Sequence, residues 1–423
     1  VKEEFLHYLW RNQLLNPSNL HTTDGQEIQV LSPGQSNTDS GPDFVAAKVR
    51  IGDTLWAGQV EIHIRSSHWE MHGHQRDAAY GNVILHVVYE HDREVFDQNG
   101  NPIPVLEVNG RFRKELLSTY LRLMESGNWV PCKGLIRAAE REVLPFWLNR
   151  LAVERLERKS DEVLHYLQYF QNDWDQTLYF LLARNFGFKI NATPFGLLAQ
   201  RTPLKVLLRI SDKLFSIESI LFGQAGHLSN DLTDDYPRSL LAEYRHQKTK
   251  YNLEPLDAHL WKFSKLRPQN FPTIRISQFA GLLSQANHLF GMITDILHPD
   301  EVVSRFRVKA SEYWDTHYTF EKESPKISKA LGIDAIHNIL INTLTPVMFV
   351  YGKQNMRPEI CDRALEWLFR IPAESNSVIS NWASAGISAR NAAESQALLE
   401  LKKYYCTPKN CLRCAIGTAI LKQ

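Results

Sequence analysis

A chain of 423 residues, 43% hydrophobic and 11% aromatic, holds enough apolar material for two or three cored domains and excludes a disordered polymer. Forty-eight Lys and Arg against 47 Asp and Glu leave a formal charge of +1, which excludes a global electrostatic field as the means of holding nucleic acid, so such a partner needs a local basic patch. Five cysteines, odd in number and unevenly spread, do not make a secreted disulfide framework, and VKEEFLHYLW has no basic n-region or small-residue cleavage site, so the expected compartment is a reducing cytoplasm.

The chain opens with a helical pattern, EEFLHYLWRNQLL, in which Phe5, Leu6, Leu9, Trp10 and Leu14 share helical spacing. Strand-like runs follow: EIQVLSPG, FVAAKVRI, LWAGQVEIHIR, NVILHVVYE and PIPVLEVNG, separated by Gly, Asp, Asn and Pro. A short helix is expected at QRDAAYG or just before it. Residues 1–130 therefore read as an α/β domain within an α+β chain. After NWVPCKG the period changes. RAAEREVLPFWLNRLAVERLERKSDEVLHYLQYF, DWDQTLYFLLARNFGF, PLKVLLRISDKLFSIESILFG and SQFAGLLSQANHLFGMITDIL carry apolar residues three and four apart, which makes 131–423 a large helical domain with a Cys-rich end and a break near EKESPKISKALGID. The most apolar late stretch, AIHNILINTLTPVMFVYG, is interrupted by His337, Asn338, Asn342 and Pro346, so no membrane association is expected.

The first domain holds the residues suited to chemistry. GPDFVAAKVRIGDTLWAGQVEIHIR reads as a hairpin turning at Gly52 and Asp53. In its second strand Val60, Ile62 and Ile64 face one way, and Gln59, Glu61, His63 and Arg65 the other. Asp43 begins the first strand. Two carboxylates from adjacent strands suit a hard divalent cation such as magnesium or manganese, which can activate a bound water. Register tests this idea: a two-residue turn would set Phe44 opposite Glu61 and send Asp43 to the wrong face. The site therefore requires an irregularity between residues 44 and 60, such as a bulge in the first strand.

The competing explanation is a half-solvated sheet whose polar face is an ordinary row of charges. Against it stands the histidine density: His63, His68, His72, His74, His86 and His91 are six of 16, where even spacing would put about one. A transition-metal site built from His72, His74 and Asp77 is a rival use of the same stretch. At the other end, Cys406, Cys411 and Cys414 in YYCTPKNCLRCAIG suit zinc or an iron-sulfur cluster, with Cys132 as the expected fourth ligand and Cys361 as the other candidate; buried packing is the alternative. KFSKLRPQNFPTIRISQ gathers Lys262, Lys265, Arg267, Asn270 and Arg275 into a phosphate-binding elbow or a capped helix turn, and Asn191 and Thr193 read as helix caps.

Two resemblances follow from these motifs. GPDF, VEIH, KINATPF, RPQNFPTIRI and YCTPKNCLRCAIG together resemble an uncharacterised bacterial domain-of-unknown-function family over nearly the whole chain, a likeness that implies no activity. The first 110 or so residues also resemble the PD-(D/E)XK nucleases, whose helix, strand, hairpin, helix and strand carry a Pro-Asp pair and an acid-x-Lys triplet. Pro42-Asp43 and Glu61-Ile62-His63 occupy those places, with His63 where the family has lysine, Lys48 as a possible migrated charge, and Glu3 or Glu4 as the acid of the first helix. The resemblance implies a restriction-endonuclease-like core and a Mg- or Mn-dependent nuclease acting on DNA or RNA. Asp43, Glu61, His63 and Lys48 would do the chemistry, while Arg65, Arg267, Asn270 and Arg275 contact substrate. The alternative is a non-catalytic nucleic-acid- or protein-binding module that keeps the fold; a protein partner is left open.

Overall fold

The structure is a computed structural model in which residues 1–136, 143–210, 214–285 and 289–422 are described. The helical runs expected to begin at Arg137 and to cross Ser211 and Ala286 include residues outside that set. The chain forms two compact units: Val1–Trp147 with Lys402–Gln423, and Leu148–Leu401. The sequence suggested one boundary at 130/131, whereas the cysteine-bearing terminus is grouped here with the sheet.

In the first unit, helix α1 (Glu3–Arg11) carries acids in its first turn and Arg11 in its last, as its dipole favours. It buries Phe5, Leu6, Leu9 and Trp10. Strands β1 (Ile28–Ser32), β2 (Gln35–Ser36), β3 (Phe44–Ile51), β4 (Thr54–Arg65), β5 (Val83–Glu90) and β6 (Val105–Glu107) form one sheet, ordered β1-β3-β4-β5-β6 with β2 on β3. The pairings β1–β3 and β3–β4 are antiparallel, and β4–β5 and β5–β6 are parallel. A parallel neighbour needs a crossover. Here it is α2 (His68–Met71) followed by 3-10 turns at His74–Arg76 and Ala78–Tyr80, so the helix expected near QRDAAYG is divided and begins earlier. Helix α3 (Lys114–Glu125) follows β6.

The hairpin has the two-residue turn, with Ile51 opposite Thr54 and Gly52 at φ +55. Pairing runs to Ala47 opposite Gly58, then resumes at Phe44 opposite Val60, so β3 holds one residue more than β4 between them. This is the irregularity expected between residues 44 and 60. Ala46 lies in the left-handed region at φ +56, and Gly34 packs against it so closely that a Cβ there would stand 2.5 Å from the Val45 carbonyl oxygen. Continuing the shifted register by one residue sets Asp43 across from Glu61.

The chain's last segment completes this unit. Lys402 donates to the Trp129 carbonyl at 2.7 Å and sits over its ring, the turn Cys411–Arg413 meets α1, and helix Ala415–Leu421 meets α3.

Among its described residues the second unit is helical, apart from a small hairpin of His317–Thr319 with Lys322–Glu323. Helix Phe188–Arg201 kinks at Asn191, whose side-chain amide donates to the Lys262 carbonyl and accepts its N–H, both at 2.9 Å. Asn191 is thus a clamp on a distant backbone, not the cap expected. The run Ile333–Gln354 is long and apolar enough to cross a membrane by length and composition, and 72% of its apolar window is buried inside the protein.

Candidate functional site

The bulge brings two carboxylates together at the mouth of the hairpin. The Asp43 N–H donates to Glu61 Oε2 at 3.2 Å, and the Ile62 N–H donates to Asp43 Oδ2 at 3.0 Å. Helix α1 supplies two further groups, since Glu3 and His7 are four residues apart and share a face. His7 Nε2 lies 3.3 Å from Asp43 Oδ2, and ligand atoms of Glu3, His7 and Asp43 all fall within 4.8 Å of one another.

The other side of Glu61 meets imidazoles. His63 Nε2 and His74 Nε2 stand 3.4 and 3.3 Å from Glu61 Oε1. His72 Nδ1 is 3.2 Å from His63 Nε2, and His63 Nδ1 is 2.9 Å from His86 Nε2. Glu61 is 5% exposed and His63 2%, so the middle of the polar face of β4 is buried under the crossover loop, while Arg65 at its end stays exposed.

Burial governs the electrostatics. Loss of solvation, then the charge of Asp43, pushes the Glu61 carboxyl up to about 9. Burial, then the neighbouring His86 and His74, drives His63 down to about 2, and burial drives His86 to about 3. Its surroundings therefore favour a neutral His63 ring. Burial, then Glu61, lifts Tyr80 to about 12; its ring stacks on His74 with centroids 3.8 Å apart.

These residues lie within a longer match. A family model described as "Protein of unknown function (DUF2851)" matches residues 3–377. The chain belongs to this family. The match takes in Glu3, Asp43, Glu61 and the histidines, while Cys406, Cys411 and Cys414 of this DUF2851 chain lie beyond its end. No curated protein and no solved structure matches the chain.

Other residues singled out in the sequence lie elsewhere. Lys48 is exposed opposite Ala57, and its Cα is about four strand steps, or roughly 13 Å, from that of Asp43. Arg65 is exposed at the end of β4 and pairs with Glu90 at 3.3 Å. In the second unit Arg275 turns inward: it is 6% exposed, donates to Asn270 at 2.6 Å and Gln278 at 3.1 Å, and covers the Phe188 ring. Burial and those bonds tie the guanidinium to the elbow itself, while Lys262, Lys265 and Arg267 stay exposed. Asp77 caps Ala79 and is not among the clustered ligand groups. Sequence reasoning missed His7, although its spacing from Glu3 was visible. It also missed Arg11, Lys409 and Arg413, which line a pocket with His7 and Tyr8; contacts between residues so far apart in sequence leave no local signal.

The cysteines form a second focus in the same unit. Cys132, Cys406, Cys411 and Cys414 are all buried and free. Burial first and the neighbouring thiols second raise Cys132 and Cys411 to about 12, and Cys406 is raised by the same causes. Thiols so held are poor nucleophiles, which argues against a reactive cysteine. Cys361, in the second unit, donates to the Phe349 carbonyl at 3.5 Å. Among the described residues, the groups of three or more ligand atoms within 4.8 Å of one another are His63/His72/His74 and Glu3/His7/Asp43; the sulfurs form no such group.

Proposed function

We propose that this protein is a metal-dependent phosphodiesterase acting on nucleic acid, with magnesium or manganese held by Asp43 and Glu61 and bordered by Glu3. The observation that carries the reading is the β3 bulge, which sets an aspartate beside a buried glutamate that a regular hairpin would place on the opposite face. Element order supports it as well: α1, β1, the β3–β4 hairpin, α2 and β5 follow the helix, strand, hairpin, helix, strand order of a PD-(D/E)XK core. Oxygen ligands from two carboxylates fit a hard cation that keeps several waters. When bound, such a cation lowers the pKa of its water and offsets the charge that builds on phosphorus.

The chain's own groups divide the remaining work. A ring held near 2 is a weak base, so His63 is not the group that deprotonates water. The proton-accepting role falls to His7, whose side chain is 25% exposed beside Asp43. Arg11, Lys409 and Arg413, lining the adjoining pocket, are the cations that meet backbone phosphates.

One observation favours the alternative of binding without cleavage, namely the neutral residue in the lysine position. Incubating the full chain with single-stranded, duplex and branched DNA and with RNA, in manganese or magnesium, separates the two. Cleavage lost in Asp43→Ala supports hydrolysis; cation-dependent binding with every substrate left intact supports the binding module.

We also propose that Cys132, Cys406, Cys411 and Cys414 hold an iron-sulfur cluster or zinc. Both take thiolate ligands of this kind.

A further inference from the structure

The two oxygens of Glu61 face different company. Oε2 accepts from the Asp43 backbone, and Oε1 faces His63 Nε2 at 3.4 Å and His74 Nε2 at 3.3 Å. His72 Nδ1 approaches the same His63 nitrogen at 3.2 Å, and one nitrogen from each of His63, His72 and His74 lies within 4.8 Å of the others. A tetrahedral ion bound by imidazole and carboxylate at about 2.0–2.1 Å holds its ligand atoms about 3.3 Å apart. Three of the six edges, Glu61 to His63, Glu61 to His74 and His63 to His72, match that length.

We infer that His63, His72 and His74, with Glu61 Oε1, form a site for a borderline transition-metal cation of the zinc class, separate from the hard-cation position at Asp43. Imidazole nitrogens select such ions over magnesium, which demands oxygen ligands. The inference goes beyond the hydrolytic reading and stands without it.

Local structure explains how the rings converge. Gly73, at φ +78 in the left-handed region, reverses the chain between His72 and His74, so side chains two residues apart return to one point. His86 takes the second ring nitrogen of His63 at 2.9 Å, an outer contact that fixes the ring and leaves Nε2 facing the site. Trp69 packs edge-on to His74, and Tyr80 stacks on its other side. His72 is exposed and gives the ion a way in. A metal-free network of shared protons would account for the same contacts, so the test must separate the two.

Chelator-treated full chain carrying Cys411→Ser, to remove thiolate sites, is titrated with cobalt(II) and with zinc. The expected result is one equivalent of cobalt with visible absorption and no sulfur-to-metal charge transfer, bound at least about a hundredfold more tightly than magnesium. His72→Ala and His74→Ala should each weaken it at least about tenfold, while circular dichroism reports that the fold persists. His72→Gln serves if the alanine variants unfold. Cobalt binding no tighter than magnesium, or binding indifferent to His72 and His74 in folded variants, overturns the inference. Nucleic-acid cleavage in magnesium is read separately: cleavage without a cobalt site sinks this inference alone, and a cobalt site without cleavage sinks only the hydrolytic reading.

Discussion

Glu61 is the residue on which the proposed chemistry turns. With its folded pKa raised from 4.5 to about 9, burial favours its protonated form. The stability this contributes is complete below pH 4.5 and is lost as pH rises through about 9. In chelator, thermal stability should therefore fall from pH 5 to pH 9, and Glu61→Gln should flatten that slope and raise Tm at pH 8, by about 2–4 °C for each kcal/mol recovered. A divalent cation replaces the proton, so its affinity should rise over the same range and its binding should release protons, both measurable by calorimetry in two buffers. A pH-independent affinity would mean that Glu61 is no ligand. His7→Gln gives the companion test: kcat should fall about 10²–10⁴-fold with substrate binding preserved, as expected of a lost general base.

At the scale of elements, the bulge makes opposite predictions for two small residues. Ala46 pays for a left-handed backbone, so Ala46→Gly should be neutral or stabilising by up to about 1 kcal/mol and leave the site intact. Gly34→Ala puts a methyl group 2.5 Å from the Val45 oxygen at a residue with φ +83; it should cost about 2–4 kcal/mol in denaturant unfolding and weaken cation binding. Equal effects from the two would show that the bulge does not build the site. How far the sequence could be read follows from these elements. Residue type named Asp43 and Glu61, and strand alternation alone demanded an irregularity in the hairpin, because register is counted along the chain. The burial of Glu61 was not readable, since it depends on the fold of the crossover loop over β4. Arg275 failed for the same reason: a cation in a Pro-rich elbow looks exposed until Asn270, Gln278 and Phe188 close around it.

At the scale of the whole molecule, the period change near Trp129 falls after the true transition, since the sheet ends at Glu107 and helix α3 already follows it. It did not reveal that residues 402–423 return to the first unit, because that return is a long-range contact without local pattern. Metal analysis of anaerobically purified protein should find iron or zinc in amounts comparable to protein, lost in Cys411→Ser. Visible absorbance that bleaches in air would identify the cluster, and a metal-free protein indifferent to chelator would reduce these cysteines to packing. Manganese anomalous diffraction from crystals of the full chain tests most directly the cation proposed between Asp43 and Glu61. A peak within about 2.5 Å of an oxygen of each carboxylate is the expected result; saturating manganese with no peak between them, while both side chains are ordered, would contradict it.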